Sequence, residues 1–221
     1  MTAPFIAKGL AVRAHSAKGG KGVFATRPFA RGELLAIWGG RMMSGAELKE
    51  LPAEHRYYSL QVDDDLHLVT PIQEITAGDF INHSCVPNAG LSDAVSLIAL
   101  RDIQRSEEIC FDYATSDSNV YSEFVCNCGQ SECRRFVRHD DWRRPELQLR
   151  YGSAFSPYLL RRIAAEASAH RLAETLHQGG AELDQDRGAL VNQAVKAVAV
   201  ENKHFDVVDR SHGGRPGLIV E

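Results

Sequence analysis

The segment Asp79–Leu91, DFINHSCVPNAGL, carries an unusual density of polar side chains directly after an apolar pair. Phe80 and Ile81 are expected to be buried, and the residues after them offer hydrogen-bond donors, acceptors and one soft metal ligand: Asn82, His83, Ser84, Cys85 and Asn88. Taken alone, the segment is typical of a polar turn around Pro87 in which Asn side chains cap backbone groups. The rest of the chain favours a functional site.

The composition is that of a globular protein. The chain has 221 residues, of which 44% are hydrophobic and 24% charged, with a formal net charge of −4. This charge argues against direct nucleic-acid binding, since such domains are normally basic, and is compatible with a cationic peptide partner. No signal peptide and no apolar run of ~20 residues is found, so we expect no membrane span. A cytoplasmic location with reduced thiols is expected, and secretion without a cleavable signal stays open.

Short apolar segments dominate the first two thirds of the chain. They are rich in Val, Ile, Leu and aromatic residues and are separated by Gly, Pro and Asp clusters, which predicts strands. No regular helices separate them, so a parallel α/β sheet is not expected. The sequence predicts a mainly β fold of small packed sheets. The segments are LAVRAH (10–15), GVFAT (22–26), LLAIWGG (34–40), YSLQV (58–62), LHLVT (66–70), SLIAL (96–100) and EICFDY (108–113).

Helices are predicted mainly at the C-terminal end. Within the β region, Ser44 and Glu47 have the spacing of a capping box and predict one short helix. Strong helix formers follow from Pro157 to Gly179, and a second helix is predicted over residues 186–202. The prediction is a C-terminal helical appendage, which offers a surface for a possible dimer.

Five cysteines are present, and three of them are clustered. CNCGQSEC, residues 126–133, forms a C-x-C-x4-C array in which Gly129 allows the backbone to turn. A closed zinc site takes four tetrahedral ligands, so one more is needed. Cys85 is the favoured candidate and His139 the alternative. Cys110 lies in an apolar strand and is interpreted as a core thiol.

Four segments together resemble a known family. They are GGKGVFAT (19–26), DFINHSCVPNAG (79–90), EEICFDYA (107–114) and CNCGQSECRRFV (126–137). In this order and spacing they resemble a SET-domain protein-lysine N-methyltransferase with a post-SET zinc segment.

The resemblance implies a domain organisation and an activity. It implies a SET domain over residues 8–125, a post-SET zinc segment over 126–138, and a linker, helical appendage and tail over 139–221. The implied cofactors are S-adenosylmethionine and Zn²⁺. The implied substrate is a lysine in a histone tail or another cytosolic protein.

The resemblance also implies roles for individual residues. Tyr113 matches the catalytic tyrosine, and Phe111 matches the channel position that sets how many methyl groups are added. The implied zinc ligands are Cys85, Cys126, Cys128 and Cys133. The implied cofactor-binding residues are Gly20, Lys21, Gly22, Tyr58, Asn82, His83, Phe124 and Asn127.

Three details of the match stay open. Tyr57 is adjacent to Tyr58 and is an alternative for its position. Asn127 stands where the family often has an apolar residue over the adenine, so that cover is weaker or comes from Phe124. Arg135 stands where the family tends to have Gly.

The residue types suit this chemistry. A lysine amine has a pKa of about 10.4 and must lose its proton before it can accept a methyl group. An apolar channel walled by Phe111 and tyrosines disfavours the ammonium. The Tyr113 hydroxyl can accept from the amine or hold a water that removes the proton. We expect orientation and electrostatics, rather than full deprotonation of Tyr113, to dominate.

The sequence also bears on three other functions. A Cys–His hydrolase with Cys85 and His83 is disfavoured because residues two apart in one loop rarely reach each other and no oxyanion motif accompanies them. A nucleotide-binding enzyme lacks its glycine motifs. The main alternative is a catalytically weak, zinc-stabilised module that recruits a basic peptide. Phe111 predicts that an active enzyme adds more than one methyl group.

Overall fold

A computed structural model describes residues 4–15, 18, 20–120 and 123–179. The predicted helix over 186–202 and the C-terminal tail lie outside these residues, and the proposed dimer contact stays a prediction. The chain divides into two compact units. The described residues belong to the first unit through Leu160 and to the second from Arg161 onward.

Thirteen short strands account for most of the regular structure in the described residues. They are β1 (Phe5–Ile6), β2 (Leu10–His15), β3 (Gly20–Ala25), β4 (Leu34–Ile37), β5 (Arg41–Ser44), β6 (Ser59–Asp63), β7 (Leu66–Val69), β8 (Asn82–His83), β9 (Ala89–Leu91), β10 (Ser96–Ala99), β11 (Glu108–Phe111), β12 (Phe124–Val125) and β13 (Phe136–Val137).

Four α-helices are also present in the described residues, together with short 3₁₀ turns such as Ala77–Phe80 and Tyr113–Thr115. They are α1 (Gly45–Glu50), α2 (Ala53–Arg56), α3 (Pro145–Tyr151) and α4 (Pro157–Gly179). The Ser44 hydroxyl accepts from the Glu47 backbone, and the Glu47 carboxylate accepts from the Ser44 backbone. The predicted capping box and the helix it begins are therefore confirmed. No helix of the described chain is both long and apolar enough to cross a bilayer.

The strands form small, mainly antiparallel sheets. Two sheets have four strands, in the orders β1-β4-β10-β9 and β2-β3-β11-β8. A third has the order β5-β7-β6, and β12 pairs with β13. All seven predicted strand segments contain a strand, which confirms a mainly β fold of small sheets. The sequence did not predict β1, β5, β8, β9, β12 or β13, most of which have only two or three residues.

The parallel pair β8·β11 places the motif residues side by side. Cys110 lies opposite Asn82, and Phe111 lies opposite His83. The Asn88 side chain continues this edge, because its Nδ2 donates to the Glu108 carbonyl (2.8 Å) and its Oδ1 accepts from the Cys110 amide (3.0 Å). The Asn-His motif and the EICFDY motif, which are distant in the sequence, thus lie side by side in one sheet.

The segment predicted as a linker after residue 138 packs against the rest of the first unit. Trp142, Tyr151, Phe155 and Tyr158 in this segment are all buried. The Ser156 amide donates to the Thr115 carbonyl at 2.8 Å, immediately before α4. The chain from 139 to 160 is therefore part of the compact first unit, and the predicted domain boundaries remain predictions.

Candidate active site and metal centre

Four cysteines converge at one point. Their Sγ atoms, from Cys85, Cys126, Cys128 and Cys133, all lie within 4.8 Å of one another. The Sγ atoms of Cys85 and Cys126 are 3.7 Å apart. In a tetrahedral site with zinc–sulfur bonds of about 2.3 Å, the sulfur atoms lie about 3.8 Å apart. The cluster therefore fits a zinc ion.

Local backbone geometry builds this cluster. The pairing of β12 with β13 brackets the cysteine array, and Gly129 turns the chain inside it with a φ of +73°. Arg135, where the family tends to have Gly, has a φ of +66°. This left-handed conformation costs a non-glycine residue roughly 1–2 kcal/mol, so the departure seen in the sequence falls at a strained position.

The other two candidate ligands lie elsewhere. His139, the alternative fourth ligand, does not belong to the cluster of four thiols, and its Nδ1 is 2.7 Å from the Glu123 carboxylate. Cys110 is buried outside the cluster, and its Sγ accepts from Lys18 Nζ at 3.3 Å. Burial raises the pKa of Cys110 to about 12, so it stays a thiol, as the interpretation of a core residue requires.

Hydrogen bonds favour the thiolate form of Cys85. The bond from Cys126 lowers its pKa most; burial opposes this, and bonds from His83 and the Arg134 amide lower it further. His83 Nε2 lies 3.3 Å from Cys85 Sγ, and the Arg134 amide lies 3.4 Å from it. Since zinc binds thiolates, the N–H donors of His83 and Arg134 favour Cys85 as a ligand. The contact with Cys126 lowers the pKa of Cys85 and raises that of Cys126, so it does not by itself favour a site in which both are thiolates.

His83 connects the thiol cluster to Tyr113. Its Nδ1 accepts from the Tyr113 amide at 3.2 Å, which leaves the proton on Nε2, facing Cys85 Sγ. The imidazole is buried, and both of its nitrogens have protein partners. Any contact of His83 with a cofactor would therefore use its main chain.

The 3.3 Å contact also corrects the reasoning against a hydrolase. Residues two apart do reach each other here, so the spacing argument was wrong. What disfavours a nucleophilic role is burial, because Cys85 is 0% exposed and lies among three other thiols. A substrate carbonyl has no access to it.

A cavity of about 60 Å³ contains the predicted catalytic residue and the predicted channel residue. Tyr113, Phe111 and Tyr58 line it. So do Tyr57, which is the alternative for the Tyr58 position, and Trp38, which the sequence did not single out. The Phe111 and Tyr113 ring centroids are 4.9 Å apart, and Trp38 and Phe111 are 5.6 Å apart. Both neighbouring tyrosines, 57 and 58, thus belong to the site.

The Tyr113 hydroxyl has a defined orientation. It donates to the Ile81 carbonyl at 2.9 Å. Because the proton points to Ile81, the phenolic oxygen presents its lone pairs as acceptors. Burial, with a smaller contribution from the charge of Asp79, raises the pKa of Tyr58, so that this second phenol also stays protonated.

The predicted cofactor-binding glycines are the first residues of β3. Asn82 Nδ2 donates to the Lys21 carbonyl (2.9 Å) and to Glu108 Oε1 (2.8 Å). A Cβ atom on Gly22 would lie only 2.8 Å from Glu108 Oε1 and 3.1 Å from Asn82 Nδ2. A side chain at position 22 would therefore displace the ends of the Glu108 and Asn82 side chains. Gly20, Lys21, Gly22 and Asn82 are together in space, as the resemblance implies.

The two candidates for an adenine cover differ in position. The Phe124 ring is 5.3 Å from His83 and 5.9 Å from Tyr113, measured between centroids. Asn127 is exposed. The structure brings Phe124, and not Asn127, to the aromatic cluster.

A buried ionic network lies directly behind Tyr113, and the sequence did not reveal it. Asp112 accepts from both terminal nitrogens of Arg134, at 2.6 and 2.7 Å, and from the Tyr151 hydroxyl at 2.9 Å. Arg134 Nε also forms an ion pair with Asp141 at 2.9 Å. Burial raises the pKa of Asp112, but the hydrogen bonds and charge of Arg134, together with the neighbouring His83 and Tyr151, outweigh it and hold the pKa below its usual value. The network ties β11 to the cysteine array and to α3.

Comparison with known proteins agrees with the geometry. A family model described as "SET domain" matches residues 20–114. The chain is 31% identical over 140 residues to histone-lysine N-methyltransferase 2B of Homo sapiens, covering 55% of this chain and 5% of that protein. It is 29% identical over 135 residues to the probable histone-lysine N-methyltransferase set-23 of Caenorhabditis elegans, covering 53% of this chain and 55% of that protein.

A third relative is the H3 lysine-36 specific histone-lysine N-methyltransferase of Yarrowia lipolytica, which is 28% identical over 134 residues. That match covers 54% of this chain and 17% of the relative. The chain thus spans about half, or much less, of the curated relatives it matches. The segment that matches the SET-domain model contains the Asn-His loop, Phe111 and Tyr113, and it is this segment that is similar to a SET domain.

Proposed function

We propose that this protein is an S-adenosylmethionine-dependent methyltransferase that modifies the side-chain amine of lysine in a protein substrate. The observation that carries the proposal is the aromatic cavity in which Tyr113 and Phe111 lie together, next to the loop that also contains Asn82. The names of the relatives, all histone-lysine N-methyltransferases, support the same activity.

The cavity suits a lysine side chain. Five aromatic side chains line it: Trp38, Tyr57, Tyr58, Phe111 and Tyr113. An aliphatic chain packs on such rings. The Tyr113 oxygen, whose proton is directed to Ile81, accepts a hydrogen bond from the amine and orients its lone pair. Fixed orientation of this kind contributes up to about 7–11 kcal/mol in favourable cases.

The cofactor residues form a second, adjacent group. Gly20, Lys21, Gly22 and Asn82 would hold S-adenosylmethionine, with Phe124 beside it. The bound cofactor would supply an electrophilic methyl group on a sulfonium. Gly22 lies against the Asn82 and Glu108 side chains, so Asn82 is held beside the β3 backbone. The sulfonium charge would also lower the pKa of the neighbouring amine.

The metal centre has a structural role in this proposal. Cys85, Cys126, Cys128 and Cys133 would hold one zinc ion, with no open position for a substrate. Through His83, the same cluster fixes the backbone of Tyr113. Histone tails are candidate substrates because of the relatives' names, and other lysine-containing proteins are alternatives. Since Phe111 offers no hydroxyl to restrain a methylated amine, we propose that more than one methyl group is added.

Tyr113→Phe tests the proposal. The exchange removes one hydroxyl and little volume, so we expect turnover to fall by about 100-fold or more while cofactor affinity is retained. Turnover is measured by mass spectrometry of a lysine-peptide array, and cofactor binding by calorimetry. Tyr158→Phe is the matched control, because it removes a buried hydroxyl outside the cavity.

The outcomes separate the two candidate functions. Near-normal turnover of Tyr113→Phe would show that Tyr113 is only structural. A wild-type protein that binds peptides but neither binds S-adenosylmethionine nor methylates any peptide would instead be the zinc-stabilised recruiting module.

A further inference from the structure

The aromatic cavity has an unexpected charge. Among the described residues that line it, the charged ones are Asp79 and Asp117, both acidic, and none is basic. Five aromatic residues line the same cavity, and a carboxylate beside them is less well solvated than in open water, so it needs partners that stabilise it. A ligand of opposite charge is one such partner.

Asp79 is held rigidly. Its Oδ2 accepts from the Thr76 amide (2.8 Å) and the Thr76 hydroxyl (3.0 Å), and its Oδ1 accepts from the Thr70 hydroxyl (2.8 Å). These bonds fix the carboxylate on the 3₁₀ turn Ala77–Phe80, and that turn is anchored by the bond from Trp38 Nε1 to the Gly78 carbonyl (3.1 Å). All of the donors to Asp79 within the described chain are neutral. Its negative charge is therefore oriented but not neutralised.

The charge of Asp79 acts on groups in the cavity. After burial, it is the second cause of the raised pKa of Tyr58, because a carboxylate disfavours a neighbouring phenolate. The same field favours a cation at the same place. Faces of aromatic rings such as Trp38 and Tyr58 attract cations as well.

We propose that Asp79 is a positioning residue that selects the substrate lysine in its cationic form and holds the ammonium in the cavity before the proton is lost. This inference rests on the proposed function and extends it to the choice of substrate. Asp117 adds charge of the same sign, and its Oδ1 already accepts from the Asn119 amide at 2.9 Å. Asp79 is therefore the residue to test.

The proposal has a quantitative signature. A carboxylate that stabilises an ammonium raises the pKa of that amine by the same free energy. Removing the charge must weaken binding of the cation by some factor. It must also lower the pKa of the bound amine by the logarithm of that same factor. A merely structural role for Asp79 predicts no such agreement.

Other ionisable groups surround the same space. Tyr57 and Tyr58 face it before and within β6, and Tyr113 and Asp117 face it after β11. On the side of β3, Lys21 Nζ lies 4.9 Å from the centroid of the ring of Phe80, which is the residue after Asp79 in the sequence. Asp79→Asn leaves all of these side chains in place and removes only the charge of Asp79, including its effect on Tyr58, so a difference between the variants reports that charge.

Binding is tested with n-butylammonium, which has the end of a lysine side chain, and the full-length, zinc-loaded protein. The Trp38 indole N–H resonance follows the titration, because this ring lines the cavity. At pH 7 we expect Asp79→Asn to bind about tenfold more weakly than wild type, and Asp79→Glu to recover part of the loss. Thr76→Val is the control: it removes a bond to Asp79 but keeps the charge, and should change affinity less than about twofold.

Turnover supplies the second measurement, on the best peptide from the array. For Asp79→Asn we expect a KM about tenfold higher and a half-maximal pH of kcat about one unit lower. Unchanged affinity and an unchanged pH profile would overturn the proposal, and so would equal effects of Thr76→Val. If the wild type binds n-butylammonium but methylates no peptide, the proposed function fails while the binding result for Asp79 stands by itself.

Discussion

Tyr151→Phe should destabilise the protein more than the loss of a neutral hydrogen bond would. The hydroxyl of Tyr151 donates to Asp112, whose side chain is 0% exposed, at 2.9 Å. A hydrogen bond to a buried charge is worth about 1.5–3 kcal/mol, against about 0.5–1.5 kcal/mol for a neutral pair. Burial and the charge of Asp112 also raise the pKa of Tyr151, so it remains a donor at every pH of interest.

Tyr158→Phe provides the internal reference. Tyr158 is also buried, with 0% exposure against 8% for Tyr151, but its hydroxyl donates to a neutral acceptor, the Ser116 carbonyl, also at 2.9 Å. We therefore expect Tyr151→Phe to lose about 1–2 kcal/mol more than Tyr158→Phe. For a protein of this size, 1 kcal/mol corresponds to a Tm shift of roughly 2–4 °C.

The assay is urea unfolding of zinc-loaded protein at several pH values. Since the pKa of Asp112 is lowered in the folded state, its stabilisation is present above the unfolded pKa of about 3.9 and is lost as the pH falls through the folded value. The difference between the two variants should thus be constant from pH 8 to 5 and shrink below about pH 4. Equal losses for the two variants, or the reverse order, would refute the idea of a charged, buried Asp112.

Two further predictions concern the metal centre and the channel. Cys85→Ser should reduce bound zinc below one equivalent per chain in elemental analysis and expose the segment after Phe124 to proteolysis; full zinc retention with unchanged stability would remove Cys85 from the ligand set. Phe111→Tyr should shift products toward monomethyl-lysine with little loss of the first transfer, because one hydroxyl discriminates by only about 1–3 kcal/mol. Product mass spectra over time measure this shift, and a wild type that stops at monomethyl-lysine with fresh cofactor would contradict it.

Local patterns predicted the local structure well. The strand segments were found from apolar runs between turn residues, and the helix after Ser44 from its capping box. Strands such as β8 and β12 were not predicted, because a strand of two residues shows no periodicity in the sequence. Their pairing also depends on partners far along the chain. The cysteine cluster was predictable because its chemistry demands a fourth ligand.

The polar network behind Tyr113 was not predictable in the same way. Asp112 and Arg134 are separated by 22 positions, and nothing in either local sequence marks a bidentate pair. Tyr151 and Trp142 looked like parts of a linker, because burial of that segment arises from tertiary packing rather than from a local pattern. The need for a counter-charge such as Arg134 becomes apparent only once it is known that Asp112 is buried.

The density of polar residues in Asp79–Leu91 has a physical reason. The edge strand β8 has only two residues, so the backbone of β11 beyond it would lack partners, and buried peptide groups need them. Asn88 supplies both an acceptor and a donor to β11 in place of a longer strand. His83 then fixes Tyr113 on one side and Cys85 on the other. Because one loop performs all of these tasks, a change in the geometry of the metal centre must also act on the residue that we place at the reaction centre.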